Sequence, residues 1–168
     1  MEEMGRLIMS GLLEFYKDKK VLMTGHTGFK GAWLSRILVQ TGADVTGYSL
    51  EAPANPNLFG LADVENQMKS VIGDIRDREH LLEVFEETQP EIVIHLAAQP
   101  IVRDSYKNPV YTYETNVMGT VNICEAVRLN PCVKSFLNVL PIRYIKIMSG
   151  NGDIERMNHW MVMILILI

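Results

Sequence analysis

The chain has 168 residues, which is enough for one domain with a hydrophobic core. Its formal net charge is −4 and it has no basic cluster, which argues against nucleic acid or an anionic membrane as a partner. The two cysteines, Cys124 and Cys132, are too few for a disulfide framework and lack CxxC spacing. We therefore expect a reducing, cytoplasmic location, two buried cysteines and no metal site.

Short apolar strands alternate along the chain with helical patterns. The predicted strands are residues 20–24, 44–48, 69–72, 92–96 and 133–139. The predicted helices are residues 29–40, a helix that begins after Asp77 with Leu81, Leu82 and Phe85 facing inward, and residues 109–129 with Val117, Val121, Cys124 and Val127 on one face. This alternation predicts an α/β fold, a Rossmann-type doubly wound parallel sheet covered by helices on both faces.

Three glycines with GxxGxxG spacing join the first strand to the first helix. Gly25 permits a tight turn, Gly28 lets a diphosphate approach the backbone, and Gly31 lets the helix pack closely on the sheet. The N-terminus of that helix adds the positive end of its dipole. An ordinary strand-to-helix turn is the alternative, but the strand before and the amphipathic helix after favour a pyrophosphate cradle.

The end of the second predicted strand departs from the usual dinucleotide pattern. An acid that binds the ribose hydroxyls is expected about 20 residues after the glycines. This chain has Ser49 and Leu50 there, and the nearest acid is Glu51. Ser49 can bond either a ribose hydroxyl or a 2′-phosphate, and Lys30 lies either near the pyrophosphate or in solvent. The residues alone leave NAD and NADP open.

Six segments resemble one known family in the same order. The first, GHTGFKGAWL at residues 25–34, resembles the CDP-glucose 4,6-dehydratase family of the extended short-chain dehydrogenase/reductase superfamily. The others are GYSL (47–50), NPNLF (55–59), IGDIRD (72–77), HLAAQP (95–100) and TNVMGT (115–120). The resemblance covers about residues 18–139, so it implies an incomplete Rossmann-type domain.

The resemblance implies an NAD-dependent nucleotide-sugar dehydratase, a lyase that acts on CDP-glucose in polysaccharide biosynthesis and forms a homodimer when intact. It implies that Asp74 and Ile75 hold the adenine edge of the cofactor, that Asn116 supports the backbone beside the active site, and that Arg103 and Ser105 face the nucleotide sugar. Arg103 is almost as well explained as a surface residue. The full expected cofactor set is Gly25, Thr27, Gly28, Phe29, Lys30, Gly31, Ser49, Asp74, Ile75, Ala97, Ala98 and Gln99.

The resemblance ends after Val139. In this superfamily a Ser/Thr-Asp-Lys/Glu cluster and a Tyr-x-x-x-Lys helix follow the fifth strand and carry the proton transfers, and this chain has neither motif. We therefore expect three parts: an extension at residues 1–17, the NAD-binding domain at 18–139 and a tail at 140–168 outside the family. The apolar end of the tail is shorter than the ~20 residues of a membrane span.

The genetic code offers an explanation of the tail as out-of-frame product. If residues 139–144 were encoded GTA CTA CCG ATA AGG TAT, a choice that the sequence permits, reading from the last base of the first codon would give Thr-Thr-Asp-Lys-Val, which is the missing cluster. Where the codons leave no choice, the same shifted frame gives Glu from Met157-Asn158, Leu from His159-Trp160, Asp from Trp160-Met161, Gly from Met161-Val162 and Asp from Met163-Ile164. The pattern E-x-L-D-G-x-D resembles the family's approach to its catalytic tyrosine, which indicates a single-base deletion near codon 139.

Two other readings remain open. One is another NAD-dependent nucleotide-sugar epimerase or dehydratase, which the HTGFK loop and the Gln99-Pro100 pair disfavour. The other is a non-catalytic dinucleotide-binding module, which requires the tail to be a selected structural element.

Overall fold

A parallel sheet forms the centre of the molecule. The computed structural model describes residue 11, residues 14–140 and the strand residues 144–145, 156–157 and 161–165, with side chains described as far as residue 139. The five parallel strands are β1 (Lys20–Thr24), β2 (Asp44–Ser49), β3 (Lys69–Ile72), β4 (Ile92–His95) and β5 (Ser135–Leu140). They lie in the order β3-β2-β1-β4-β5. This order, which reverses at β1, confirms the predicted Rossmann-type sheet.

Between β1 and β5, where every residue is described, six helices connect the strands. They are α1 (Phe29–Gln40), α2 (Leu58–Leu61), α3 (Arg78–Thr88), α4 (Val102–Lys107), α5 (Pro109–Tyr113) and α6 (Gly119–Leu129). A 3₁₀ turn covers Glu65–Gln67, and a π-helical turn, Glu114–Met118, joins α5 to α6. The Asp77 carboxylate accepts the His80 N–H at 3.1 Å and caps α3 as predicted. Gly42, with φ of 78°, follows the last turn of α1.

The two faces of the sheet build separate cores, because neighbouring side chains of a strand point to opposite faces. Val21 and Met23 of β1 pack on the α1 side with Leu38. Leu22, between them, packs on the opposite side with Leu81 of α3 and Ile123 of α6. Helices therefore cover both faces, as the sequence predicts.

The orientation of α6 differs from the expected one. Val117, Val121 and Cys124 are exposed, and of the predicted face only Val127 is buried. The helix packs on the sheet through Ile123, Ala126 and Val127 instead. Val121, Cys124 and Val127 all lie within α6 and follow one another at steps of three residues, so they spread around the helix and only Val127 reaches the side that meets the sheet. The expected burial of Cys124 is wrong for the same reason, and Cys132 is half-buried.

We expect an incomplete sheet to leave the edge of β5 uncovered, but the structure shows a partner strand there. The short strands β6 (Tyr144–Ile145) and β7 (Arg156–Met157) pair with each other, and β8 (Met161–Leu165) runs antiparallel along β5. The register places Leu140 opposite Met161 and Phe136 opposite Leu165. The apolar tail segment thus supplies backbone partners to an edge that would otherwise be open.

Candidate functional site

The glycine turn packs directly against the end of β4. Gly25 has φ of 77°, and a Cβ built there would lie 2.8 Å from the Ala97 nitrogen. Its own N–H donates to the Tyr48 carbonyl at 2.9 Å, which ties the turn to β2 as well. Only glycine combines this backbone conformation with this close approach. The carboxyl ends of β1, β2 and β4 are therefore drawn together around residue 25.

The first turn of α1 lies on the same loop. A Cβ on Gly31 would come within 2.0 Å of the Gly25 oxygen, so the helix can sit on the turn only because residue 31 has no side chain. Gly28 precedes the helix and provides no side-chain cap for its first N–H groups. A Cβ at Gly28 meets only the Gly25 oxygen, at 3.3 Å. The uncapped helix end therefore has N–H groups and a positive dipole to offer an anion.

Thr24 organises the end of β4. Its Oγ1 accepts the N–H groups of Leu96 at 3.2 Å and Ala97 at 3.1 Å, and lies 2.6 Å from His95 Nδ1. Because both lone pairs of Oγ1 are used, its proton points to Nδ1, and His95 is the tautomer protonated on Nε2. Burial lowers the pKa of His95 to about 4, in agreement with a neutral ring.

Ser49, at the end of β2, is held within the protein. Its Oγ lies 2.9 Å from Thr27 Oγ1 and 3.0 Å from His26 Nδ1, and it donates to the Leu50 carbonyl at 3.1 Å. The His26 ring reaches Ser70 Oγ through Nε2 at 2.8 Å, and burial lowers its pKa to about 4. The ring occupies the space above Gly47, where a Cβ would lie 2.3 Å from it. Most of the hydrogen-bonding capacity of Ser49 is therefore used inside the chain.

Asp74, after β3, is fixed by both its main chain and its side chain. The Tyr48 hydroxyl donates to the Asp74 carbonyl at 2.9 Å. Arg76 donates its N–H to Oδ1 at 2.9 Å and its Nη2–H to Oδ2 at 2.6 Å. These hydrogen bonds from Arg76 lower the pKa of Asp74. The carboxylate is therefore ionised at neutral pH.

Asn116 joins the π-helical turn to the loop after β4. Its Oδ1 accepts the Gln99 N–H at 2.8 Å, and its Nδ2 donates to the Gln99 carbonyl at 3.1 Å. The two bonds fix the backbone of residue 99 from one side chain. Such a paired contact holds the loop at a constant distance from the helix.

These segments surround one cavity of about 570 Å³ at the carboxyl ends of the strands. All twelve residues of the expected cofactor set line it, namely Gly25, Thr27, Gly28, Phe29, Lys30, Gly31, Ser49, Asp74, Ile75, Ala97, Ala98 and Gln99. Further lining residues that the sequence does not indicate include Leu50, Tyr111 and Thr115. Tyr111 lies on α5, which is outside the six segments that resemble the family. Thr115 is the first residue of the TNVMGT segment.

Two expected substrate residues lie elsewhere. Arg103 and Ser105 are on α4 and do not line the cavity. Arg103 is exposed, and the Ser105 hydroxyl donates to carbonyls of its own helix, at 2.8 Å to Val102 and 3.2 Å to Ile101. The structure therefore does not bring these two side chains together with the expected cofactor residues.

The described part of the chain has neither a membrane-spanning helix nor a cluster of metal ligands. None of its helices is both long and apolar enough to cross a membrane. Within the same residues, no three His, Cys, Asp or Glu side chains are grouped so that they could hold a metal ion.

The fold is the Rossmann-type domain of the epimerase and dehydratase class of short-chain dehydrogenases/reductases. The family model described as GDP-mannose 4,6 dehydratase matches residues 22–140, more than half of the chain, so the chain belongs to that family. The CDP-glucose 4,6-dehydratase of Salmonella typhimurium is 51% identical over 125 residues, which are 74% of this chain and 35% of that protein.

Solved structures agree with the family. The epimerase Mth375 of Methanothermobacter thermautotrophicus superposes with a TM-score of 0.68 and 30% identity, over 77% of this chain and 37% of that one. The UDP-glucose 4-epimerase of Brucella ovis, solved in complex with NAD, gives a TM-score of 0.59 at 30% identity, over 68% and 33% of the two chains. The chain spans about a third of the length of the curated relatives that it matches.

The two buried histidines predict a loss of stability in mild acid. Both have a folded-state pKa near 4, below the ~6.5 of an unfolded histidine, so the unfolded chain binds the proton more tightly. The contribution of each neutral histidine to the free energy of unfolding is therefore present in full above pH 6.5. It falls as the pH drops towards 4, by roughly 3 kcal/mol per histidine. Urea unfolding at several pH values measures this slope.

His26→Gln and His95→Gln should each flatten the slope, whatever they do to the absolute stability. An unchanged slope in both variants would mean that neither ring is held neutral by the fold.

Proposed function

We propose that residues 18–139 are the cofactor-binding part of a CDP-glucose 4,6-dehydratase, the lyase that converts CDP-glucose to CDP-4-keto-6-deoxyglucose and water. The observation that carries the proposal is the single cavity lined by all twelve expected cofactor residues. The specific assignment is supported by 51% identity to a CDP-glucose 4,6-dehydratase, against 32% to a GDP-mannose 4,6-dehydratase of Yersinia enterocolitica. The epimerase alternative rests on more distant relatives, at 37% identity over 108 residues.

The lining residues divide the proposed cofactor among three segments. The glycine turn and the N-terminus of α1 take the diphosphate. Asp74 and Ile75 take the adenine, and residues 97–99 form the wall along which the rest of the molecule lies. Bound NAD would supply the reversible acceptance of a hydride from the sugar.

The charged residues of the cavity favour neither NAD nor NADP. The cation Lys30 and the anion Glu51 both line it. The Ser49 hydroxyl is largely engaged by Thr27, His26 and Leu50. We propose NAD because a relative of this fold is solved with NAD, and NADP is the alternative.

We propose that the 168-residue chain binds NAD but does not convert CDP-glucose. The proton-transfer cluster and the Tyr-x-x-x-Lys helix are absent from the sequence, so no side chain in the expected positions can move the hydroxyl proton of the sugar. We propose that residues 140–168 are out-of-frame product, that residues 1–17 are an extension, and that Arg103 and Ser105 meet the nucleotide sugar only in an intact relative. The end of the family match at residue 140 supports this division.

Location and assembly are proposals of the same kind. A nucleotide-sugar enzyme with two unpaired cysteines belongs in the cytoplasm. The exposed apolar residues Val117, Val121 and Tyr113 along α5 and α6 support a homodimer in the intact family. A selected, non-catalytic binding module remains the alternative, and the pairing of β8 with β5 is the observation that favours it.

Substitution of Gly28 tests the cofactor site. Gly28→Val should abolish NAD binding in a calorimetric titration, because the branched side chain would occupy the position of the diphosphate, while its Cβ would make one tight contact within the protein, at 3.3 Å to the Gly25 oxygen. Gly60→Ala is the matched control, since residue 60 lies outside the cavity and its added Cβ would make an ordinary contact at 3.5 Å to Asn57. Equal NAD affinity in wild type and Gly28→Val would show that the turn is not the site.

Repair of the reading frame tests the origin of the tail. One nucleotide inserted near codon 139 should open a frame through Thr-Thr-Asp-Lys and the E-x-L-D-G-x-D pattern, and the repaired gene with its downstream sequence should yield 4-keto-6-deoxy product from CDP-glucose. Insertion of three nucleotides at the same place keeps the present tail and should yield none. A repaired frame without Asp-Lys after β5 would contradict the deletion and support the binding-module alternative.

A further inference from the structure

Arg76 connects three side chains on two different parts of the chain. Its guanidinium binds the Asp74 carboxylate through Nε at 3.0 Å and Nη2 at 2.6 Å. Nη1 donates to Glu114 Oε2 at 3.2 Å, and Cζ lies 4.7 Å from the centre of the Tyr111 ring. Arg76 therefore ties the loop after β3 to α5 and to the π-helical turn.

Two of the three partners of Arg76 line the cavity, whereas Arg76 itself does not. Asp74 and Tyr111 are lining residues, and Glu114 is adjacent to Thr115, which is another. The guanidinium thus lies outside the cavity and links two of the segments that line its proposed adenine end. A residue in this place acts on a ligand through its neighbours.

The ion pair contributes more to geometry than to stability. The Arg76 and Asp74 side chains retain 36% and 26% of their exposure, and pairs this open to solvent add little to the free energy of folding. The planar fork of arginine nevertheless fixes the plane of the carboxylate, which a single point charge would not.

The fixed carboxylate keeps acceptor capacity for a ligand. Oδ1 accepts the N–H and Nε–H of Arg76, and Oδ2 accepts Nη2–H and shares Nε–H. A carboxylate has about four acceptor positions, so Oδ2 can accept one further hydrogen bond. An ionised carboxylate has no proton to donate. It attracts the exocyclic amino group of adenine and repels the carbonyl oxygen of a 6-oxopurine at the same position.

We propose that Arg76 is a positioning residue that orients the Asp74 carboxylate, and that this pair selects adenine over a 6-oxopurine at the base end of the cofactor site. The inference rests on the proposed NAD site and adds the residue that determines its base selectivity. Arg76 itself makes no contact with the cofactor.

The test compares the affinities of NAD and nicotinamide hypoxanthine dinucleotide by calorimetric titration of the full chain. Wild type should prefer NAD by about tenfold or more, the worth of one hydrogen bond to a charged group. Arg76→Ala should reduce the preference to within about twofold, and Asp74→Asn should do the same, because a neutral amide can also donate to a carbonyl. Arg76→Lys keeps the charge but loses the fork, and its preference should fall between those of wild type and Arg76→Ala.

Arg78→Ala is the matched control. Arg78 lies two residues away, pairs with Glu125 at 3.9 Å and does not line the cavity, so its loss should leave the preference unchanged. A merely structural role of Arg76 would weaken both dinucleotides equally and leave their ratio at the wild-type value, which would overturn the inference. If wild type binds both dinucleotides equally, the inference fails and the NAD site stands. If it binds neither, both fail.

Discussion

The close approach of the Gly25 turn to the end of β4 is the constraint on which the cavity depends. A side chain at residue 25 would collide with the backbone of Ala97, and one at residue 31 would collide with the carbonyl of Gly25. Together these contacts bring the end of β1, the end of β4 and the start of α1 to one point. In an open parallel sheet this point, where the strand order reverses, is where ligands bind.

Buried polar side chains hold the same region without charge. Thr24 connects β1 to the backbone after β4 and to His95, and His26 connects the glycine turn to Ser49 and Ser70. Both rings are neutral because burial disfavours their protonated forms. Charge is found instead on more exposed side chains that line the cavity, namely Lys30, Glu51 and Asp74, the last of which pairs with Arg76. The buried frame of the cavity is therefore neutral, and its charged groups are the more exposed ones.

The local patterns of the sequence predicted the strands, the glycine turn and the residues around the cavity. Strand periodicity, turn glycines and the helix cap at Asp77 depend on contacts within a few residues, so a single sequence contains them. The orientation of α6 on the sheet could not be predicted from such local patterns. That helix has apolar residues on two sides, Val121 on one and Ile123 and Val127 on the other, so its own pattern does not say which side meets the sheet. The engagement of Ser49 by His26 and the distance of Arg103 from the cavity depend on packing between segments far apart in the chain. The pairing of β8 with β5 has no pattern in the family from which it could be inferred.

Hydrogen exchange of the 168-residue chain with and without saturating NAD is the sharpest test of the proposed cofactor site, because it reports on all three of its segments at once. If these segments form one site, amide exchange at residues 25–31, 73–76 and 97–99 slows together when NAD is present, and exchange at the exposed residues of α6 does not change. Unchanged exchange at those three segments, or slowing confined to a region outside the cavity, would contradict the claim that this part of the family fold assembles a cofactor site.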